Sequence, residues 1–155
     1  MPLSELPVIS FQKADSIPAS TAIFDQEGNV LIVNLEKDND YSGEFINSGL
    51  LCISLDSAMM IEDMEIKLSI SDIRRVPGLA FPQGIPAEVR FEESFVTTEK
   101  VSDLYADNDL SVIHLEYAKI PMEDLLHLQV AEGIIFDVSL DNRLLGVWIK
   151  DIVAK

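Results

Sequence analysis

From Met64 to Ile70 the apolar side chains fall on alternate residues, with Met64, Ile66, Leu68 and Ile70 on one side and Glu65, Lys67 and Ser69 on the other. Successive side chains of a strand point to opposite faces, so this spacing predicts a half-buried strand. Most of the chain is built from runs of this kind. Each is too short for a long helix and is closed by a cluster of turn residues. Thr21–Phe24 and Val30–Leu35 flank Asp25-Gln26-Glu27-Gly28-Asn29 and read as a hairpin. Leu50–Leu55 is a strand, and Asp56-Ser57 turns the chain into the alternating run. The expected fold is mainly β, with two packed hairpin-based halves and one short helix. The alternative is an α+β sheet covered by that helix.

Punctuation sets the expected boundaries. Residues 1–20, with Pro2, Pro7 and Pro18, read as an irregular arm, and residues 21–75 as the first β half. Residues 76–88 form a linker, because Val76–Pro86 holds three prolines and two glycines in eleven residues and cannot continue a ladder. Its apolar members suggest that it is packed down. The second half, 89–155, contains strands at Val89–Val96, Leu110–Tyr117, Ile134–Leu140 and Leu144–Val153. The helix is expected at 121–131: Pro121 suits a first helical position, Glu123 and Asp124 suit the positive end of a helix dipole, and Gly133 ends the segment. Both halves form one folding unit.

The halves resemble each other. Ile53–Met60 parallels Val138–Leu145, and Phe24 with Val30–Leu35 parallels Tyr105 with Leu110–Leu115. This predicts an internal duplication packed about a pseudo-two-fold, since neither half could bury a face alone. Residues 104–153 also resemble a family of small bacterial domains of unknown function. The likeness is carried by Tyr105–Leu115 and by Val138-Ser139-Leu140-Asp141-Asn142-Arg143-Leu144-Leu145-Gly146-Val147-Trp148-Ile149. That family has an aspartate-containing hairpin, an Asp-Gly turn and a closing Val-Gly-Ile-Glu-Ile strand. Here Asn142 departs from the turn glycine and Trp148 replaces the glutamate. The family has no agreed activity. Some members are encoded beside toxin-like genes, which implies an antitoxin-type role and transfers no functional residue.

Charge restricts the partners. The 155 residues carry 27 acids against 11 Lys and Arg, a net charge of −16, spread over both halves. Such a field repels nucleic acid and anionic lipid and attracts basic proteins. The expected partner is another protein, a basic one if the chain is an inhibitor of the antitoxin or immunity type. A homodimer through exposed strand edges is a further expectation. The single cysteine, Cys52, excludes an internal disulfide. No apolar run reaches the ~20 residues of a membrane span, and the N-terminus has no signal-peptide pattern, so a cytoplasmic location is expected.

Chemistry-bearing motifs are sparse. Asp38, Asp40 and Ser42, followed by Gly43, place oxygens at positions one, three and five of a calcium-type loop, with Glu44 available to complete it. Position twelve is Gly49 rather than glutamate. This loop is the candidate Ca²⁺ or small-ligand site of a sensor; no other cofactor is expected. His114 lies on a strand and His127 on the expected helix, with no spacing that pairs them. Cys52 sits in an apolar strand and reads as a small hydrophobe. No nucleophile elbow or phosphate loop is present. The reading is therefore a non-catalytic protein-interaction module whose polar groups do not gather into a reactive cluster.

Overall fold

The computed structural model describes residues 6–38, 40–97, 103–118 and 121–155. Residues 1–5 of the arm, Asn39 of the acidic loop, and 98–102 and 119–120 of the second half lie outside the described residues. The chain is mainly β, with two sheets packed around one continuous core. In chain order the strands are β1 (Ile9–Lys13), β2 (Ser20–Asp25), β3 (Val30–Leu35), β4 (Tyr41–Ser48), β5 (Leu51–Asp56), β6 (Ile61–Lys67) and β7 (Ile73–Arg75). They continue as β8 (Ile85–Phe91), β9 (Phe95–Thr97), β10 (Asp103–Ala106), β11 (Val112–Glu116), β12 (Leu125–Ala131), β13 (Ile134–Ser139), β14 (Leu144–Lys150) and β15 (Ile152–Ala154). One sheet has eight strands in the order β1-β8-β12-β13-β14-β11-β10-β7, and the other seven in the order β15-β2-β3-β6-β5-β4-β9.

The two sheets carry the same ladder. Val30 pairs with Lys67 and Val33 with Met64 in the seven-stranded sheet; Val112 pairs with Lys150 and Leu115 with Val147 in the eight-stranded one. Ile53 faces Met64 as Phe136 faces Val147. The turns agree as well: the Asp56 amide donates to the Met60 carbonyl at 2.8 Å, and the Ser139 amide to the Arg143 carbonyl at 2.9 Å. Met59 and Asn142 hold matching left-handed conformations, with φ of 62° and 63°. The correspondence differs from the one read in the sequence. Asp56 matches Ser139 rather than Asp141, and Phe24 matches Ala106 rather than Tyr105, because backbone pairing and not residue identity sets the register.

Each sheet takes strands from both halves. β7, the last strand of the first half, pairs in parallel with β10, and β15, the last of the second, pairs in parallel with β2. The chain switches sheets between β14 and β15 at Asp151, with φ of 57°, so the expected single strand from Leu144 to Val153 is broken there. β4 adds β9, and β1 adds to β8. Through this exchange each sheet contains strands of both halves. Tyr117, almost wholly buried, donates from its hydroxyl to the Ser48 carbonyl at 2.8 Å and ties the second half to the end of β4.

Three further expectations are corrected. The helix at 121–131 is absent: Met122–Asp124 form a 3₁₀ turn and Leu125–Ala131 are β12. The Pro121, Glu123 and Asp124 signals open that short turn only. Beyond it Leu128 and Val130 alternate with His127 and Gln129, which serves a strand as well, and pairing with β13 and β8 decides the outcome. The arm is not irregular throughout, because residues 9–13 form β1, and Leu6 and Ile9 are buried. The linker is shorter than 76–88, since β8 begins at Ile85.

The remaining segment, 76–84, lies across the outer face of the eight-stranded sheet. A Cβ at Gly84 would stand 3.0 Å from Ile135 Cδ1 and 3.1 Å from the Gln129 amide nitrogen, and Lys150 Nζ lies 4.9 Å from the centre of the Phe81 ring. This segment covers Ile135 on the outer face of β13, a strand buried along its whole length.

The Asp56 turn carries a measurable load. Its Oδ1 accepts from the Ala58 and Met60 amides, both at 2.9 Å, and Oδ2 meets Lys37 Nζ at 2.5 Å. Burial pushes this carboxyl up, but the Lys37 ammonium and the two amides outweigh it and leave the pKa below its ordinary value. A depressed folded-state pKa gives stability that is present above the unfolded value of about 4 and lost as pH falls through the folded one. Asp56→Ala is expected to cost about 2 kcal/mol at neutral pH in denaturant titration. It should also flatten the acid limb of the stability profile, and an unchanged limb would assign that limb to other carboxylates.

Candidate functional site

The site lies on the outer face of the eight-stranded sheet, and the ladder builds it. β12 sets His127 opposite Asp137, β13 sets Asp137 opposite Gly146, and β11 sets Glu116 opposite Gly146 and His114 opposite Trp148. Gly146 has no side chain, so Asp137 can lean across β14 toward His114. A Cβ at Gly146 would lie 3.1 Å from Asp137 Oδ2 and 3.4 Å from His114 Nε2.

Asp137 is 4% exposed. Taking a carboxylate out of water costs several kcal/mol unless donors replace the water. Three side chains do so. His114 Nε2 lies 2.8 Å from Oδ2, His127 Nδ1 lies 2.7 Å from Oδ1, and Trp148 Nε1 lies 3.1 Å from each oxygen. The indole can only donate. With the carboxylate as common acceptor, the imidazole nitrogen facing it carries the proton in each histidine. The His114 ring stacks on Trp148 with centroids 3.9 Å apart and planes 11° from parallel. On the other side of His114, Nδ1 is 3.9 Å from Glu116 Oε2. His127 is bonded through Nδ1 alone among the described residues, so in the neutral ring Nε2 is left as a hydrogen-bond acceptor.

These groups line a cleft of about 480 Å³. Its apolar wall is Leu125, Leu145, Ala118 and the indole of Trp148, and Ala80 and Pro82 of the covering segment close one side. The arrangement pairs an oriented imidazole with apolar shelter, which suits binding of a small molecule or a proton transfer.

The expectation that no polar cluster forms is overturned: His114 and His127 converge on Asp137. The helix expected at 121–131 sets His127 apart from the strand of His114, and two histidines 13 positions apart give no motif. Two signals pointed here. An aspartate inside the apolar run Ile134-Ile135-Phe136-Asp137-Val138 must find partners, and a glycine inside a strand marks a close approach.

The acidic loop is arranged differently. Asp38 is exposed, Asp40 Oδ2 accepts from the Ser57 hydroxyl, Ser42 Oγ donates to the Leu55 carbonyl at 3.0 Å, and Glu44 Oε2 accepts from the Ser94 hydroxyl. The oxygens of Asp40, Ser42 and Glu44 are each directed to a separate partner. Among the described residues no trio of His, Cys, Asp or Glu is arranged to hold a metal. Cys52 stands apart on the other sheet, where burial, with Glu65 and Asp63 adding to it, pushes its thiol pKa up. No helix among the described residues is long and apolar enough to cross a membrane.

The matching face of the seven-stranded sheet serves as an internal control. By the shared register, His114, Asp137, Gly146, Trp148 and His127 correspond to Ile32, Ser54, Asp63, Glu65 and Phe45. The same ladder therefore forms without the histidine–aspartate–tryptophan cluster. No family model matches the chain, and no curated protein matches it.

Proposed function

We propose that this protein binds a small molecule in the His127–Trp148 cleft. One observation carries the reading: Asp137, buried and fully engaged, orients His127 with an open acceptor in an apolar cleft, and the equivalent ladder positions of the other sheet do without such a cluster. Buried polar networks are costly when incomplete. A scaffold that forms without one has retained this one for something other than strand pairing. The matched ladders also support reading the halves as copies of a single unit, of which one acquired the site.

A fragment titration followed by amide and indole NMR tests this. Shifts are expected at the Trp148 indole N–H and at the Ala118 and His127 amides. A broad panel of neutral and charged fragments that leaves all three unmoved overturns the reading.

The charge of −16 supports a second, separate reading, a protein-interaction module of the acidic inhibitor type. The exposed Phe45 and Val153, at 44% and 62%, support a docking side on the outer face of the seven-stranded sheet. Co-purification with a basic protein that is released by salt would support it. Retention of the same partner by a Phe45→Lys, Val153→Lys variant would remove that face from consideration.

A further inference from the structure

The cleft holds enough chemistry to select its ligand, and we infer that it takes a neutral, largely apolar molecule bearing one hydroxyl that donates to Nε2 of His127. This rests on the small-molecule reading above. The donor set of the wall leads to the class. Asp137 spends its N–H–accepting capacity on His114, His127 and Trp148, so it has little left for a ligand. With the neutral His127 ring donating from Nδ1 to Asp137, Nε2 is an acceptor, and an acceptor in an apolar cleft calls for a ligand donor. Glu116 and Asp137 both line the cleft in a chain of net charge −16, which disfavours carboxylates and phosphates. The rest of the wall is hydrocarbon and indole. His114 Nδ1 stands 3.9 Å from Glu116 Oε2, and the benzylamine probe below tests whether a cation takes that place. A hydroxylated hydrocarbon body, with phenol as its simplest probe, gives Nε2 its donor and covers the apolar wall.

Trp148 is the only tryptophan in the chain and lies in the wall, so its emission reports the cleft directly. Phenol, anisole, benzoate and benzylamine present the same ring with a donor, no donor, a negative charge and a positive charge. Titrated against the intact protein with excitation at the red edge of the indole band, phenol is expected to bind at least about tenfold more tightly than anisole or benzoate, the worth of one hydrogen bond. His127→Asn keeps a side-chain donor for Asp137 and removes Nε2. It should abolish the preference for phenol over anisole while leaving the Trp148 indole N–H resonance in place. His127→Leu, which carries no hydrogen-bonding group, serves as the second variant if that resonance moves. Anisole binding as well as phenol, benzylamine binding most tightly, or a phenol preference that survives both variants would overturn the ligand class. Those results would leave the cleft as a binding site. Silence from all four probes, together with a silent fragment panel, would instead overturn the small-molecule reading itself.

Discussion

Gly146→Ala is expected to lower stability by about 3 kcal/mol and to dismantle the cluster. The added methyl would stand 2.6 Å from the Leu115 carbonyl oxygen, a backbone atom fixed by the β11–β14 ladder, and 3.1 Å from Asp137 Oδ2. The first contact cannot relax without opening the strand pair. The second pushes the carboxylate away from His114. Denaturant midpoints should drop, and the Trp148 emission should shift as its stack with His114 is lost. The counterpart position supplies the control, since Asp63 carries a side chain at the equivalent rung of the other sheet. Asp63→Ala should change stability by no more than about 0.5 kcal/mol. If Gly146→Ala proved as mild as that, the close approach would not be what holds Asp137 in place.

Asp137→Ala should cost about 3 kcal/mol by a different route. Two imidazoles and an indole would each keep a donor in a site that is 4% exposed at its centre, with no acceptor to receive it. Donors stranded in this way cost the full desolvation of each group, offset only where water can enter. The half-buried His127 is best placed to recover water, which keeps the loss below the sum of three bonds. Asp137→Asn is the discriminating companion. The amide retains one acceptor oxygen and turns an NH₂ group toward one imidazole, which must then present a lone pair. Stability should fall less than with alanine, while the proton on His127 is free to move to Nε2, removing the acceptor that the proposed ligand needs. Equal stability of the Asp137→Ala protein and the unchanged protein would reduce the network to a passive filler.

The strands were readable where sequence pattern and burial coincide. Met64, Ile66 and Leu68 alternate in the sequence and are buried in the sandwich, and the Asp25–Asn29 turn joins β2 to β3 as its residues demand. The helix misreading at 121–131 has a physical cause. Leu125-Leu126-His127-Leu128-Gln129-Val130-Ala131 satisfies a period of 3.6 and a period of 2 about equally, so the choice passed to the neighbours. β13 and β8 each offered an open edge, and the segment between them became the strand that joins the two. β1 leaves little signal for a related reason, since a five-residue strand at a sheet edge has little pattern of its own.

By itself the sequence determined what short-range physics controls: many brief strands, where they turn, an acidic surface and a packed proline-rich segment. Only the tertiary structure decided which strands become neighbours, because pairing depends on edges far apart in the chain. That choice exchanged β7 and β15 between the halves and laid residues 76–84 over one sheet. It also brought His114 and His127 to the same carboxylate. Convergence of this kind leaves almost no trace in spacing, since the register that aligns His127, Asp137, Gly146 and Glu116 exists only after the sheet has formed.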